Sequence, residues 1–279
     1  MKQALSDILR HSGLLPAAVA AVLQISTFVL LGEPVYWPLI LMAFCGVGGL
    51  YQLDRLGWFA PEDRINQPRR ERWAQRNALL LQITAAIFFI VAAAMIPLLA
   101  FVTVVTAAVL AVAGVSYILP LFRGVRLKSS GVSKPLVISV VWVAGVVALP
   151  AIEAGVALTQ EVLGFGVYRW AVLWAVALLA DWPDRDGDWQ AGIQTPAVRW
   201  SQSTLWMAAC VPLAIAGGAA GGLAYGYGNG PLALDALGYI LLLYWLTRTD
   251  PDAPGFAVRL DAFLLWPLLA VVAASAGWF

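Results

Sequence analysis

The chain has 279 residues, 61% of them hydrophobic and 12% charged, with a mean hydropathy of +0.81. A soluble domain carries about 25% charged residues, so the composition excludes one and describes a membrane protein. The net charge of +1, with no long basic tail and no base-stacking module, offers nothing to a nucleic-acid partner.

The N-terminus, MKQALSDILRHSG, is polar. The apolar run after it has no small-residue cleavage site ahead of a polar mature sequence, so it is expected to stay as a helix rather than leave as a signal peptide. Segments near the ~17–25 residues that a membrane-crossing helix needs follow at about 13–32, 36–53, 77–97, 99–121, 134–152, 163–181, 203–224, 231–248 and 258–278. The expected fold is all-α, a polytopic bundle of nine transmembrane helices in a single membrane domain covering 1–279. Helices one to four, at about 13–121, and five to eight, at about 134–248, read as a pseudo-repeat, because long polar loops follow the second and sixth helices. The ninth is appended.

Of the 17 Lys and Arg, sixteen fall on one side under this arrangement. Lys2 and Arg10 precede the first helix; Arg55, Arg64, Arg69, Arg70, Arg72 and Arg76 follow the second. Arg123, Arg126, Lys128 and Lys134 follow the fourth, Arg185 and Arg199 the sixth, and Arg248 and Arg259 the eighth. Only Arg169 goes to the other side. The positive-inside rule makes the basic side cytoplasmic, with the N-terminus there. Cys45 and Cys210 lie in apolar segments without metal-like spacing and read as inert buried thiols, and a lone histidine, His11, is a poor basis for acid–base chemistry. Trp37, Trp58, Trp182 and Trp278 fall near helix ends and read as interfacial anchors.

Polar chemistry concentrates in two loops of the basic side. After the second helix comes YQLDRLGWFAPEDRINQPRRERWAQRN, in which RRER, Arg69 to Arg72, reads as a belt of salt bridges. After the sixth comes DWPDRDGDWQAGIQTPAV, Asp181 to Val198, with carboxylates at Asp181, Asp184, Asp186 and Asp188. If the sixth helix runs on, Asp181, Asp184 and Asp188 share one face, at i, i+3 and i+7, with Pro183 bending it. Like charges so placed repel unless a cation joins them, and magnesium takes one or two carboxylates together with waters and phosphate oxygens. The competing reading is a solvated acidic cap, which opposes the helix dipole. The basic residues after the fourth helix, in SYILPLFRGVRLKSSGVSK, suit either a phosphate or a lipid headgroup.

At these residues the chain resembles the UbiA superfamily of intramembrane prenyltransferases. The family's second acidic loop is close to D-x-x-D-x-E-G-D followed by G-x-x-T-L-P; here stand Asp181, Asp184, Asp186, Gly187 and Asp188, then Gly192, Thr195 and Pro196. The family's Y-S-x-P-P-L-R-x-K-R is matched by Tyr117, Pro120, Arg123 and Lys128. The first motif, N-D-x-x-D-x-x-x-D-R continuing I-N-x-P-x-R, departs. Leu50 and Tyr51 stand where the family has Asn and Asp, and Asp54 and Asp63 are separated by an insertion, while Asp63, Arg64, Asn66, Pro68 and Arg70 fit the continuation. At least one metal-binding carboxylate of the family pattern is missing there, and Glu62 replaces it only if the inserted loop folds back.

The resemblance implies magnesium-dependent transfer of a prenyl group from a prenyl diphosphate to an aromatic or other lipophilic acceptor within the membrane. It implies Mg2+ on Asp54, Asp63, Asp181, Asp184 and Asp188, with Asp186 pointing off the face. Arg64, Arg123, Lys128 and Lys134 would hold the diphosphate, and Tyr117 and Lys128 would act at the reacting bond. Metal ions neutralise the leaving diphosphate, an apolar chamber excludes water, and aromatic faces stabilise the cation. Two other readings stand beside this one: a terpenoid cyclase without a separate acceptor, and a non-catalytic subunit or lipid- and pigment-binding partner within a larger membrane complex. The multi-pass character fits a bacterial inner membrane or an equivalent energy-transducing membrane. A transporter is disfavoured, since the ionisable residues gather at one interface rather than the midplane.

Overall fold

The computed structural model describes residues 11–57, 63–119, 131–156, 159–253 and 255–277. Within them the apolar segments are α1 (Leu14–Leu30), α2 (Trp37–Arg55), α5 (Ala78–Met95) and α6 (Phe101–Ile118). Beyond these come α7 (Lys134–Val143) running through a π-helical turn into α8 (Leu149–Glu153), then α9 (Gln160–Ala180), α12 (Gln202–Tyr227) and α13 (Gly230–Leu246). The last apolar segment is α14 (Phe256–Phe263) and α15 (Pro267–Ser275). Four short helices lie in the polar connections: α3 (Asp63–Asn66), α4 (Pro68–Arg76), α10 (Arg185–Gln190) and α11 (Pro196–Arg199). No strand occurs among the described residues.

Among the described residues, six stretches are long and apolar enough to cross a bilayer: Ala78–Leu98, Phe101–Ile118, Lys134–Glu153, Val162–Ala180, Gln202–Gly226 and Phe256–Ser275. α1 and α13 are apolar but have 17 residues each, and α2 dilutes its apolar character with the polar end Gln52 to Arg55. Helix starts follow local chemistry: Thr159, Ser201 and Asn229 each accept a hydrogen bond from the backbone N–H three residues on. α12 stops at Gly228, whose φ of 64° suits glycine. Leu79, Ile90, Val109 and Ile215 point outward at 64–70% exposure, a surface that only lipid covers at low cost. The chain is an integral membrane protein.

The helices pack in a closed circuit: α2 on α5 and α6, α6 on α7 and α8, α7 on α9, α9 on α12, α12 on α13, α13 on α15, α15 on α1, and α1 back on α2. α9 is the most enclosed span, with 61% of its apolar window buried against 11% for α5 and α6. Val172, Leu173, Val176 and Leu179 of α9 sit in the main core with Leu205, Leu213, Leu242 and Leu260. The acidic segment therefore hangs from the best-anchored helix. The π-helical turn at Ala144–Ala148 disturbs the regular ladder. α1 satisfies it, because Gln24 Nε2 donates to the Gly145 carbonyl at 2.8 Å and Thr27 Oγ1 to that of Val146 at 2.7 Å.

Two expectations are corrected here. Arg169 is not on an outer surface; it lies within α9 at 0% exposure and pairs with Asp235 of α13 at 3.1 Å. Tyr168 donates to Asp235 Oδ2 at 2.6 Å, and Arg169 donates to the Tyr239 hydroxyl at 3.1 Å and to Ser26 Oγ of α1 at 2.7 Å. A buried charge must be paired, and this one is, inside the bundle. Ionisable residues thus do not all gather at one interface. Trp182 is likewise not an interfacial anchor: it is 8% exposed and meets Trp206 edge-on with ring centroids 6.0 Å apart.

Candidate functional site

The acidic segment begins where α9 ends. Pro183 has no N–H to continue the ladder, so the chain turns, with Asp184 N–H donating to the Asp181 carbonyl at 3.1 Å, and restarts as α10. The expected continuous face is corrected accordingly. Asp181 caps α9, Asp184 caps α10, and Asp188 lies one turn into α10. Asp186 is 83% exposed and points away.

A cation from the chain itself joins two of these carboxylates. Lys134, the first residue of α7, places Nζ 2.5 Å from Asp181 Oδ1 and 3.9 Å from Asp188 Oδ2. Its side chain is 8% exposed, and those of Asp181 and Asp188 are 9% and 5%. A second tie comes from the first polar loop. Asn66 Oδ1 accepts from Gly187 N–H at 2.9 Å, and Asn66 Nδ2 reaches Asp188 Oδ1 at 3.5 Å. Gln67 Nε2 donates to Asp184 Oδ1 at 2.8 Å. The two polar loops are thus one structure, closed by amides on carboxylates.

Burial pushes the Asp184 carboxyl above the ordinary Asp range, and the Asp181 charge adds to this, while the Gln67 hydrogen bond and the charges of Arg70 and Lys134 pull it back. A raised carboxyl contributes stability that is full below the unfolded pKa and lost as pH rises through the folded value. Asp184→Asn is therefore expected to melt higher than the parent at neutral pH, with the gap closing on acidification. Thermal unfolding in detergent across pH tests this, and a gap that widens on acidification would contradict it.

Tyr117, at the end of α6, lies within electrostatic reach of Lys134, Asp181, Asp54 and Tyr51. Asp54 pairs with its neighbour Arg55 at 3.7 Å. Arg64 does not join the cluster: its side chain is 71% exposed and bonds Glu71 at 3.3 Å, as the salt-bridge reading of the adjacent Arg-rich run anticipates. Asp63 opens α3. Pro120, Arg123, Lys128 and Glu62 lie outside the described residues. Leu50, in the position of the family's Asn, packs towards Gly114 of α6, where an added Cβ would stand 2.9 Å from its Cδ1.

Sequence reasoning missed the roles of Asn66 and Gln67, which act on carboxylates 117–122 residues away. It also missed Asp252, which accepts from Arg185 at 2.8 Å and from Trp182 Nε1 at 3.2 Å. Asp261 of α14, which feels the charge of Arg55, was missed too. Only the Asn66 position carried a signal, through the matched I-N-x-P-x-R run.

Among the described residues, no group of three or more His, Cys, Asp and Glu is arranged to hold a metal ion. Asp181 Oδ2 is buried with no hydrogen-bond partner among the described residues, and Asp188 shares Lys134 with it. An oxygen left open beside a second carboxylate suits a single magnesium ion that keeps waters or phosphate oxygens in its other positions.

No family model and no curated protein matches the chain. A solved structure does: that of digeranylgeranylglyceryl phosphate synthase in membranes. The likeness covers 98% of this chain and 99% of that one, with a TM-score of 0.57 and 14% sequence identity. At that identity what is shared is the fold, over nearly the whole of both chains, and it agrees with the all-helical membrane bundle expected from the sequence.

Proposed function

We propose that the protein transfers a prenyl group from a prenyl diphosphate to a lipophilic acceptor within the membrane, at the acidic end of the bundle. The observation that carries this reading is the clustering of Asp181, Asp184, Asp188, Lys134 and Tyr117 at one end of an apolar bundle similar in fold to digeranylgeranylglyceryl phosphate synthase. Nine crossings with the basic loops and N-terminus in the cytoplasm follow from the charge pattern, in a bacterial inner membrane or an equivalent energy-transducing one.

Asp181 and Asp188 would hold the magnesium ion. When bound, it neutralises charge that grows on the departing diphosphate. The chain's own residues do the rest. Lys134 offers three N–H donors to phosphate oxygens, and Tyr117 offers a hydroxyl to the bridging oxygen or the acceptor. Asn66 and Gln67 fix the carboxylates so that little reorganisation is needed during reaction. Arg123 and Lys128 are proposed as further diphosphate contacts. The apolar walls hold the prenyl chain and keep out water that would quench the cation.

The non-catalytic reading draws on one observation: Leu50 packs against α6 where the family has a polar residue. One experiment separates the readings. Purified protein in lipid is incubated with labelled prenyl diphosphates of several lengths, with and without magnesium and an aromatic acceptor, beside Asp188→Ala. Prenyl transfer by the parent, reduced by about 100-fold in the variant, is expected. A cyclic hydrocarbon formed without acceptor favours the cyclase. Equal turnover by both proteins overturns the metal assignment, and no binding by either overturns the enzymatic reading.

A further inference from the structure

Lys134 stands in an electrically awkward place. It is the first residue of α7, where the helix dipole repels a positive charge, and its side chain is 8% exposed. An ammonium is a compact, strongly hydrated charge, so enclosing it is costly unless carboxylates replace the water. Asp181 and Asp188 do so. The approach of the chain to this point is also fixed: Gly131 adopts φ 68°, and a Cβ there would stand 3.1 Å from the Gln194 carbonyl oxygen. That carbonyl belongs to the loop that follows α10, so Lys134 is delivered to the acidic segment by local structure.

Two carboxylates with one ammonium carry a net charge of −1. A divalent cation entering between the same carboxylates would meet Lys134 Nζ within a few ångströms, and in an enclosed site such like-charge repulsion is poorly screened. We propose that Lys134 is the resident counter-ion of this segment and competes with a divalent cation for Asp181 and Asp188, so that the protein without substrate holds the ion weakly. This deepens the reading of the segment as a magnesium–diphosphate site and rests on it. A diphosphate would then do more than add ligands to the ion: by taking the Lys134 ammonium onto its own oxygens it would remove the competitor. The order of binding would follow, with substrate and ion entering together.

Mn2+ as the probe, titrated by electron paramagnetic resonance on the full chain in lipid without any diphosphate, tests this directly. Lys134→Met is expected to bind Mn2+ about tenfold tighter than the parent through relief of that repulsion, and the gain is expected to vanish in Lys134→Met/Asp181→Asn. Lys134→Arg, which keeps the charge, should bind like the parent. Removing the ammonium leaves two enclosed carboxylates facing each other, so Lys134→Met is expected to melt lower, and Mn2+ should raise its Tm more than the parent's. Equal or weaker Mn2+ binding by Lys134→Met overturns the proposal, as does the absence of Mn2+ binding in every variant. Labelled prenyl diphosphate binding by the parent, measured separately, reports on the functional reading: its failure alongside a tightened Mn2+ site in Lys134→Met would remove the substrate and leave the competition standing.

Discussion

Asp235→Ala is expected to cost about 3–5 kcal/mol of stability, the scale for removing one partner of a buried ion pair. Arg169 lies about 14 Å from the start of α9 and about 17 Å from its end at ~1.5 Å per residue, and it is 0% exposed. Without Asp235 its charge would face the Phe165 and Tyr168 rings, 5.1 and 5.6 Å away, and hydroxyl groups that cannot neutralise it. Arg169→Met/Asp235→Leu, which removes both charges and keeps bulk, is expected to recover most of the loss. Tyr168→Phe deletes one hydrogen bond and is expected to cost only about 1 kcal/mol. Equilibrium unfolding in detergent or bilayers ranks the four proteins. If Asp235→Ala were as stable as Tyr168→Phe, the pair would have to be reached by water and the buried reading would be wrong.

Gly187→Ala is expected to lower turnover by about 100-fold, the size of loss that small misplacements near a reacting centre produce, with a much smaller effect on Tm. Gly187 donates its N–H to Asn66, and a Cβ on it would overlap the Asn66 side chain. Asn66 would have to leave, and with it the contact to Asp188 and the placement of Gln67 on Asp184. The variant thus unfastens one polar loop from the other without touching a carboxylate. Gly218→Ala, whose Cβ would meet nothing within 4 Å, is the matched control and should behave as the parent. Turnover by Gly187→Ala at the parent's level would show that the bridge through Asn66 does not position the site.

The helices were legible because their signal is local. Within the described residues each apolar segment expected from sequence is largely helical, the last one as two helices, with ends displaced by a few residues where Pro97, Gly228 or a capping Thr159 decides. The second acidic segment was legible for the same reason: its carboxylates are close in sequence. Its shape was not, because whether Pro183 bends a helix or ends it depends on what receives the chain afterwards, and α10 is held by Asn66 and Gln67 from far away. Lys134 was read as one basic residue among several near an anion, since sequence does not say which of Arg64, Arg123, Lys128 and Lys134 is enclosed. The Arg169–Asp235 pair lay across α9 and α13, and charge counting by loops had no means to see that two charges in separate apolar runs neutralise each other.

The π-helical turn between α7 and α8 bears on how the protein meets bilayers of different thickness. Gln24 and Thr27 bind the carbonyls of Gly145 and Val146, so sliding the Lys134–Glu153 span along α1 by a single residue would strand both side chains among apolar neighbours. Vertical displacement of that span is thereby blocked, and a thicker or thinner membrane is met by tilt of the packed helices together or by deformation of the lipid. Lys134, about ten residues along the same span, keeps its depth relative to α1 through such adjustments. The charge balance of the acidic end is therefore insulated from membrane thickness.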